Sequence, residues 1–170
     1  MSIFTEQEAR AILDKVIKLS KADECTATLS GAESGNIRFA LNNVTTSGSV
    51  SNASLGVQVA FGKRVGTASI NEFDDASLER VVRRAEDLAR LAPENPEFVP
   101  AIDKQDYKPS ATYSESTAAV TPEFRAQVAA DSIQPCRGHG LVAAGFLEDG
   151  HGFVAIANSN GNFGYQKTTS

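Results

Sequence analysis

The chain has 170 residues and a formal net charge of −5, which disfavours a nucleic-acid backbone as its main partner, because such affinity comes from clustered Lys and Arg. Its 41% hydrophobic and 22% charged residues are ordinary for a globular protein, and no apolar run approaches the ~18 residues of a membrane span. The N-terminus carries acids where a secretory signal carries basic residues. These features predict a cytoplasmic protein without a membrane segment, whose Cys25 and Cys136 are reduced.

The first predicted elements are a helix and two strands. Thr5 and Glu8 have the spacing of a capping box, and an apolar stripe follows, so we expect a helix over residues 5–19. Alternating polar and apolar residues then predict a strand over 24–30 and a second strand from Ile37 that ends at Asn42 and Asn43. Gly31 to Gly35 is predicted to be the turn between them.

A polar stretch, residues 44–54, precedes the clearest strand pattern of the chain. It is rich in Ser, Thr and Asn and is either a long strand with a solvated face or a mobile loop; its polarity favours an exposed hairpin arm. Leu55, Val57, Val59 and Phe61 then alternate as in a strand with one buried face. A turn at Gly62 and Lys63 predicts a hairpin with residues 64–71.

A strongly amphipathic helix is predicted over residues 74–92, with Asp74 or Asp75 as its N-cap. Its apolar stripe consists of Leu78, Val81, Val82, Ala85, Leu88 and Leu91. Its other face is predicted to be solvated and carries Glu79, Arg80, Arg83, Arg84, Glu86, Asp87 and Arg90. Acids alternate with the arginines on this face, which is unlike a nucleic-acid-binding helix.

Residues 93–120 form a proline-containing linker that we expect to be pinned to the surface. A third helix is predicted over 122–133, with Thr121 as its cap and with Phe124 and Val128 on one face. The remaining predicted elements are strands over 141–147, 153–157 and 162–170, with a turn over 148–152 between the first two.

The last predicted strand has no segment after it to cover its edge, and natural domains avoid bare edges. We therefore expect the chain to be a piece of a longer protein and to self-associate through this edge or through the polar arm. The pattern as a whole predicts an α+β, two-layer fold with helices on a mixed or antiparallel sheet. Residues 1–134 are predicted to form an N-terminal α+β domain, and residues 135–170 to begin a following β-rich region.

Few residues carry recognisable chemistry. Cys136 and His139 have the spacing of half a zinc site, and His151 lies twelve residues further on, but a second half is missing from the sequence. No Ser lies in a nucleophile elbow, and no glycine run leads into a helix through Lys-Ser or Lys-Thr. The sequence therefore predicts no metal site, no cofactor site and no catalytic residue within this chain.

Several short motifs resemble the N-terminal domain of the TldD/PmbA family, once called modulators of DNA gyrase. The motifs are Arg38-Phe39-Ala40 with Asn42-Asn43, Gly56-Val57, the turn at Gly62 into Arg64-Val65-Gly66, Asp74-Asp75 at a helix start, Thr121-Pro122-Glu123, and Val154 to Gly161. The resemblance covers nearly the whole chain. One departure is Leu41, which separates Ala40 from the asparagines where family members more often run straight from Ala to Asn.

The resemblance implies a TldD/PmbA-like N-terminal fold in a cytoplasmic zinc metallopeptidase that acts on small or unfolded polypeptides as a homo- or hetero-oligomer. The family holds zinc with an H-E-x-x-x-H helix in its C-terminal part, and no His-Glu pair occurs in this chain. We therefore expect a non-catalytic part that contributes to substrate access and dimerisation. Arg38 and Asn42 are the candidate partner- or peptide-facing residues. The alternative is a stand-alone interaction module, which a reading frame that ends without the zinc motif would favour.

Overall fold

The structure is a computed structural model that describes residues 3–170. Within this range the helices are α1 (Glu6–Leu19), α2 (Asp75–Leu91), α3 (Glu115–Ala118) and α4 (Pro122–Gly138). The strands are β1 (Glu24–Ala40), β2 (Asn43–Phe61), β3 (Arg64–Ile70), β4 (Gly145–Asn158) and β5 (Phe163–Thr169). They form one antiparallel sheet in the order β3-β2-β1-β4-β5, which confirms the predicted α+β class.

The chain forms two compact units, each assembled from separate segments. Unit 1 contains the residues through Gly31, Asn52–Ser110 and Phe153–Gln166. Unit 2 contains Ala32–Ser51, Ala111–Gly152 and Lys167–Ser170. The predicted division of the chain at residues 134 and 135 stays a prediction. None of the described helices is both long and apolar enough to cross a membrane.

In unit 1, the predicted first helix is confirmed with its capping box. The Thr5 hydroxyl accepts a hydrogen bond from the Glu8 amide at 3.3 Å, and the Glu8 carboxylate accepts one from the Thr5 amide at 2.8 Å. Helices α1 and α2 share one core with the buried residues of the sheet. Its largest fully buried apolar members are Leu13, Val16, Leu29, Leu55, Val57, Val59, Leu78 and Val82.

Helix α2 packs unusually close to β3 at Gly66. A Cβ atom on residue 66 would lie 2.2 Å from the Ala85 carbonyl oxygen and 2.3 Å from the Ala89 amide nitrogen. The inward stripe therefore ends in the small residues Ala85 and Ala89. Leu88 and Leu91 were predicted to continue the stripe, but they are 44% and 84% exposed. The prediction was wrong there because the close approach admits only small side chains.

The predicted solvated face of α2 is also wrong at Glu86, which is only 1% exposed. Its carboxylate accepts hydrogen bonds from the Lys21 amide and from Arg83 Nη1, both at 2.6 Å. Arg83 Nη2 donates to the Leu19 carbonyl, also at 2.6 Å. Because Leu19 is the last residue of α1, this network satisfies backbone groups where that helix ends.

Hydrogen bonds from the linker to residues of β1 and of the β4–β5 connection pin it to unit 1, as predicted. The Ala101 amide donates to the Glu24 carboxylate at 2.8 Å, and the Gln105 amide donates to Asn162 Oδ1 at 2.7 Å. Asn160 Nδ2 donates to the Ala101 carbonyl at 2.9 Å. The side chains of Asn160 and Asn162, between β4 and β5, thus bind backbone groups of the linker. These contacts do not depend on which side chains the linker carries.

Two predicted turns are absent because their residues lie inside continuous strands. Strand β1 runs through Gly31–Gly35, and β4 runs through residues 148–152. The glycines serve close packing there. A Cβ on Gly35 would lie 2.3 Å from Cζ of Arg125, and one on Gly150 would lie 3.1 Å from the Glu33 carbonyl oxygen. Residues 141–144, predicted as strand, precede β4.

Helix α4 is longer than predicted and turns a different face inward. It continues through Pro135, and its buried residues are Arg125, Ala129 and Ile133, whereas Phe124 is 55% exposed. Ala129 and Ile133 pack with Ile37 and Phe39 of β1. Phe124 and Val128 were predicted to lie on one face of this helix, and the face that is buried carries Arg125, whose charge is paired with Asp149.

The edge of β5 is not bare, contrary to the sequence prediction. In unit 2, the Thr169 amide donates to the Thr112 carbonyl at 3.0 Å, and the Thr112 hydroxyl donates to the Lys167 carbonyl at 2.7 Å. In unit 1, Gln166 Nε2 donates to the Ser110 carbonyl at 3.0 Å. The linker therefore returns along β5. The expectation that this edge is uncovered was wrong, because the covering segment comes earlier in the sequence.

The buried Glu86 network predicts a stability effect. Replacing Glu86 with Gln keeps an acceptor for the Lys21 amide but removes the charge that faces Arg83. We expect the free energy of unfolding to fall by about 2 kcal/mol at neutral pH. The matched control is Glu79→Gln on the same helix; because Glu79 is exposed and 3.8 Å from Arg83, it should change stability by about 0.5 kcal/mol or less. Urea denaturation measures both, and equal losses would contradict this account.

The same network predicts a pH dependence. Burial raises the pKa of the Glu86 carboxyl, but the Lys21 amide and the Arg83 guanidinium outweigh burial and hold the pKa below its ordinary 4.5. A carboxyl with a lowered folded-state pKa stabilises the fold above its ordinary pKa, and this contribution is lost as pH falls through the folded pKa. The stability difference between wild type and Glu86→Gln should therefore be full above pH 4.5 and shrink below it. A constant difference down to about pH 3 would contradict this assignment.

The close approach at Gly66 predicts a steric effect. Gly66→Ala places a methyl group against the backbone of α2, so we expect a loss of about 3 kcal/mol or more in unfolding free energy. Gly56→Ala is the control, because its Cβ would meet only the Thr28 carbonyl oxygen, at 4.0 Å. Thermal or urea denaturation compares the two variants. A Gly66→Ala chain as stable as Gly56→Ala would show that α2 does not need this contact.

Candidate functional site

The main candidate site is an open strand edge in unit 2. Strand β2 pairs with β3 only from Leu55, opposite Ile70, to Phe61, opposite Arg64. Residues 43–51 of β2 therefore have β1 as their one neighbouring strand within the described chain. We call residues 43–51 the open edge. The outward backbone amides and carbonyls of residues 43–50 are available to a strand from another molecule.

The open edge lacks the features that usually protect a strand edge. Its sequence, Asn-Val-Thr-Thr-Ser-Gly-Ser-Val-Ser, contains no charged residue and no proline, and every residue of it is exposed. Natural edges are commonly blocked by Lys, by proline or by a covering segment. The side chains of Thr45 and Ser47 donate to the Arg38 and Asn36 carbonyls of β1, each at 3.2 Å. The polar arm predicted from the sequence is thus a strand, and the mobile-loop alternative is wrong.

Asn42 anchors the turn that leads into the open edge. Leu41 and Asn42 both have left-handed backbone conformations, with φ of 50° and 59°, which Asn tolerates better than Leu. Asn42 Nδ2 donates to the Leu141 carbonyl at 2.8 Å, and Asn42 Oδ1 accepts from the Ala143 amide at 2.7 Å. Arg137 donates to the Asn42 carbonyl at 2.5 Å. A peptide-facing role for Asn42 stays a prediction; in the structure its amide positions the hairpin.

Arg38 lies on β1 beside the open edge and is exposed. Its guanidinium carbon is 5.3 Å from the centre of the Phe146 ring, within the range of a cation–π contact. Phe146 is itself 54% exposed. The pair forms a partly apolar surface next to the arm, and the role of Arg38 toward a partner or peptide stays a prediction.

A cavity of about 260 Å³ adjoins the open edge in unit 2. Residues 49–51 of the edge line it, together with Gly35 of β1 and Pro122 at the start of α4. Arg125 lines it as well and is only 4% exposed. Arg125 Nη1 donates to both carboxylate oxygens of Asp149, at 3.0 and 2.8 Å. Sequence analysis missed this pair.

The donors of Arg125 are only partly used. Both hydrogen bonds to Asp149 come from Nη1, and the fully buried Nε has no acceptor. On the same cavity, Glu33 lies 3.8 Å from His151 Nε2 and accepts a hydrogen bond from the Ser51 hydroxyl at 3.4 Å. Each carboxylate of the cavity thus already has a neighbouring basic group, while Arg125 retains donors that no residue of the described chain accepts.

The residues weighed for zinc binding lie on different elements. Cys136 is half-buried within α4, His139 caps the end of that helix, and His151 lies in β4 next to Glu33. Among residues 3–170, no three His, Cys, Asp or Glu side chains form a group that could hold a metal ion. The described residues therefore do not fit zinc. That the chain binds no zinc stays a prediction for elemental analysis.

The two cysteines are free in the structure. Cys25 is buried in unit 1, and this burial raises the pKa of its thiol to about 11, although the Ser20 hydroxyl acts in the opposite direction. A thiol with this pKa is protonated at neutral pH, and the thiolate is the nucleophilic form. Cys25 thus has the character of a packing residue.

Comparison with known families gives a match over part of the chain. Residues 28–89 match the family model described as PmbA/TldA metallopeptidase domain 1. This segment begins within β1 and ends within α2, so it includes the open edge and the hairpin that follows it. No curated protein matches the chain.

Solved structures share the fold at low sequence identity. TldE from Thermococcus kodakarensis has a TM-score of 0.82 and 16% identity, and the match covers 94% of this chain and 36% of that one. A protein described as a modulator of DNA gyrase from Thermotoga maritima has a TM-score of 0.78 and 13% identity, with coverage of 94% and 37%. A protein with the same description from Bacteroides thetaiotaomicron gives 0.73 and 18%, with coverage of 97% and 39%.

This chain spans 36% to 39% of the length of these three structures. At such low identity, the likeness establishes the fold alone. The residues that match the family model include most of the motifs that carried the sequence resemblance. Residues 28–89 of this chain are therefore similar to the first domain of the PmbA/TldD family, and the fold of the chain is that of the three structures.

Proposed function

We propose that this chain is the non-catalytic N-terminal part of a PmbA/TldD-type metallopeptidase and that its open edge receives an extended peptide by strand addition. The observation that supports this most directly is the nine-residue stretch 43–51, which is exposed and uncharged and has β1 as its one neighbouring strand within residues 3–170. In strand addition, backbone hydrogen bonds supply most of the affinity. Such binding suits a protein that accepts small or unfolded polypeptides of varied sequence.

The small side chains of the open edge favour a peptide with little sequence preference. Ser, Thr, Asn and Gly fill seven of its nine positions, and Val44 and Val50 are its only large apolar residues. Shallow side chains leave few pockets that could select particular residues of the incoming strand. Selectivity then depends on whether a segment is extended and has unpaired backbone groups, which folded proteins rarely expose.

The remaining parts of the proposal concern the whole protein. The catalytic zinc is held by residues outside this chain, since the described residues offer no ligand set. The protein acts in the cytoplasm as a homo- or hetero-oligomer, without a nucleic-acid partner. A second protomer is the competing occupant of the open edge, because an unprotected edge pairs with any compatible strand. The test below therefore includes the oligomeric state.

The test uses proline substitutions at neighbouring positions of the open edge. The amides of Thr45 and Thr46 point to opposite sides of β2, so one faces β1 and the other faces the open side. A proline removes the amide donor at its position. We expect one variant, Thr45→Pro or Thr46→Pro, to lower the melting temperature. The other should leave it nearly unchanged while weakening peptide binding about tenfold.

Binding is measured by fluorescence anisotropy with a labelled, unstructured peptide of Ala, Thr and Val about eight residues long, which spans the edge. Sedimentation of each variant without peptide shows whether a second copy competes for the edge. The proposal fails if the wild-type chain leaves this peptide unbound up to about 1 mM. It also fails if both prolines act alike, or if the stable variant changes only the oligomeric state.

A further inference from the structure

The cavity next to the open edge contains hydrogen-bond donors without acceptors. Arg125 is buried in it, with Nη1 committed to Asp149 and with Nε unpaired. Ser34 and Ser49 also line the cavity. A buried donor without an acceptor destabilises a structure by about 1–3 kcal/mol, and more for a charged group. Arg125 Nη2 likewise has no acceptor among the described residues, and an incoming group with acceptor oxygens would supply one.

The position of Arg125 adds a second reason to expect an anionic group. Arg125 lies in the first turn of α4, a helix of 17 residues whose start lines the same cavity at Pro122. The N-terminal end of a helix carries partial positive charge and favours anions. The guanidinium lies flat against Gly35, since a Cβ there would be 2.3 to 2.4 Å from Cζ, Nη1 and Nη2. Contact with Gly35 and Asp149 therefore fixes its orientation.

We propose that this cavity binds a carboxylate, and specifically the C-terminal carboxylate of a peptide lying on the open edge. The inference rests on the proposed function, because residues 49–51 belong both to the edge and to the cavity wall. A peptide paired along residues 43–48 would reach the cavity with its end. Arg125 Nη2 then donates to the terminal oxygens in this cavity, which has a volume of about 260 Å³.

Charges already present in the cavity limit the affinity and provide a control. Asp149 partly neutralises Arg125, and Glu33 opposes any incoming carboxylate, although His151 lies 3.8 Å from it. Removing the Glu33 charge should therefore strengthen binding of an acid and leave binding of a neutral group unchanged. A merely structural role of Glu33 would not produce this difference.

The experiment compares one labelled Ala/Thr/Val peptide in two forms, with a free C-terminal acid and with a C-terminal amide. Wild-type protein should bind the acid about tenfold more tightly than the amide. Arg125→Lys keeps a positive charge for Asp149 but loses the planar donors, so the preference should fall to about twofold. Glu33→Gln should raise the affinity for the acid about threefold and leave the amide unchanged.

Two further probes keep the outcomes distinct. An amidated peptide ending in Asp tests whether a side-chain carboxylate serves as well as the chain end; equal affinity would overturn the assignment to the C-terminus. Sodium acetate alone, followed by NMR of the Ser34 amide and the Arg125 Nε proton, tests the cavity without any peptide, and shifts confined to residues of the cavity are expected.

Failure of this inference can be separated from failure of the proposed function. If wild-type protein binds the acid and the amide equally, the cavity does not recognise the carboxylate, while strand addition at the open edge still holds. If neither peptide binds but acetate shifts the cavity resonances, the carboxylate site stands and the proposed function fails. If acetate leaves these resonances unchanged, the proposed carboxylate site is wrong.

Discussion

Strand β3 has seven residues and β2 has nineteen, so β3 pairs with only part of β2. The candidate site follows from this difference in length. The hairpin at Gly62 fixes the register, so β3 ends opposite Leu55 and leaves the preceding part of β2 with one neighbouring strand. A longer β3 would cover residues 43–51 and remove the open edge. The edge is therefore a direct consequence of where the chain leaves the sheet at Ile70 to begin α2.

The packing of unit 1 keeps this register in place. Gly66 allows α2 to lie against β3 at the distance of backbone contact, and Glu86 ties the beginning of the α1–β1 connection to the same helix. The Gly66 contact lies within residues 55–70, where β2 and β3 pair. In unit 2, Asn42 and Arg137 hold the opposite end of the arm at its turn. Each end of β2 is thus fixed by contacts within its own unit.

Local periodicity predicted much of this fold. The capping box at Thr5, the hairpin at Gly62 and the stripe from Leu78 to Ala85 appear in the structure as their spacing indicates. The errors come from residues whose role depends on distant partners. Glu86 looks solvated in a helical projection, and only the Lys21 amide, 65 positions away, explains its burial. Glycines at 31, 35 and 150 look like turns, but they lie within strands.

The candidate site was predictable in part. The polar arm, its exposure and the possibility of strand addition follow from composition, whereas the cavity does not, because Arg125 and Asp149 are 24 positions apart and neither lies in a recognisable motif. One signal was present in the sequence: Arg125, Ala129 and Ile133 are spaced at i, i+4 and i+8, which places the arginine on the inward face. A buried arginine needs a partner for its charge, and the sequence alone does not identify Asp149 as that partner.

Native-state hydrogen exchange tests the central claim most directly, because strand addition protects backbone amides that are otherwise open to solvent. The amides of residues 43–51 that face the open side should exchange rapidly in the free chain, whereas those that face β1 should be protected. A saturating unstructured peptide should slow the open-side amides, at alternate positions only, since every second amide of β2 faces the open side. The amides of β5, which the linker already covers, should not change. Protection that appears in β5, or at none of residues 43–51, would contradict the account.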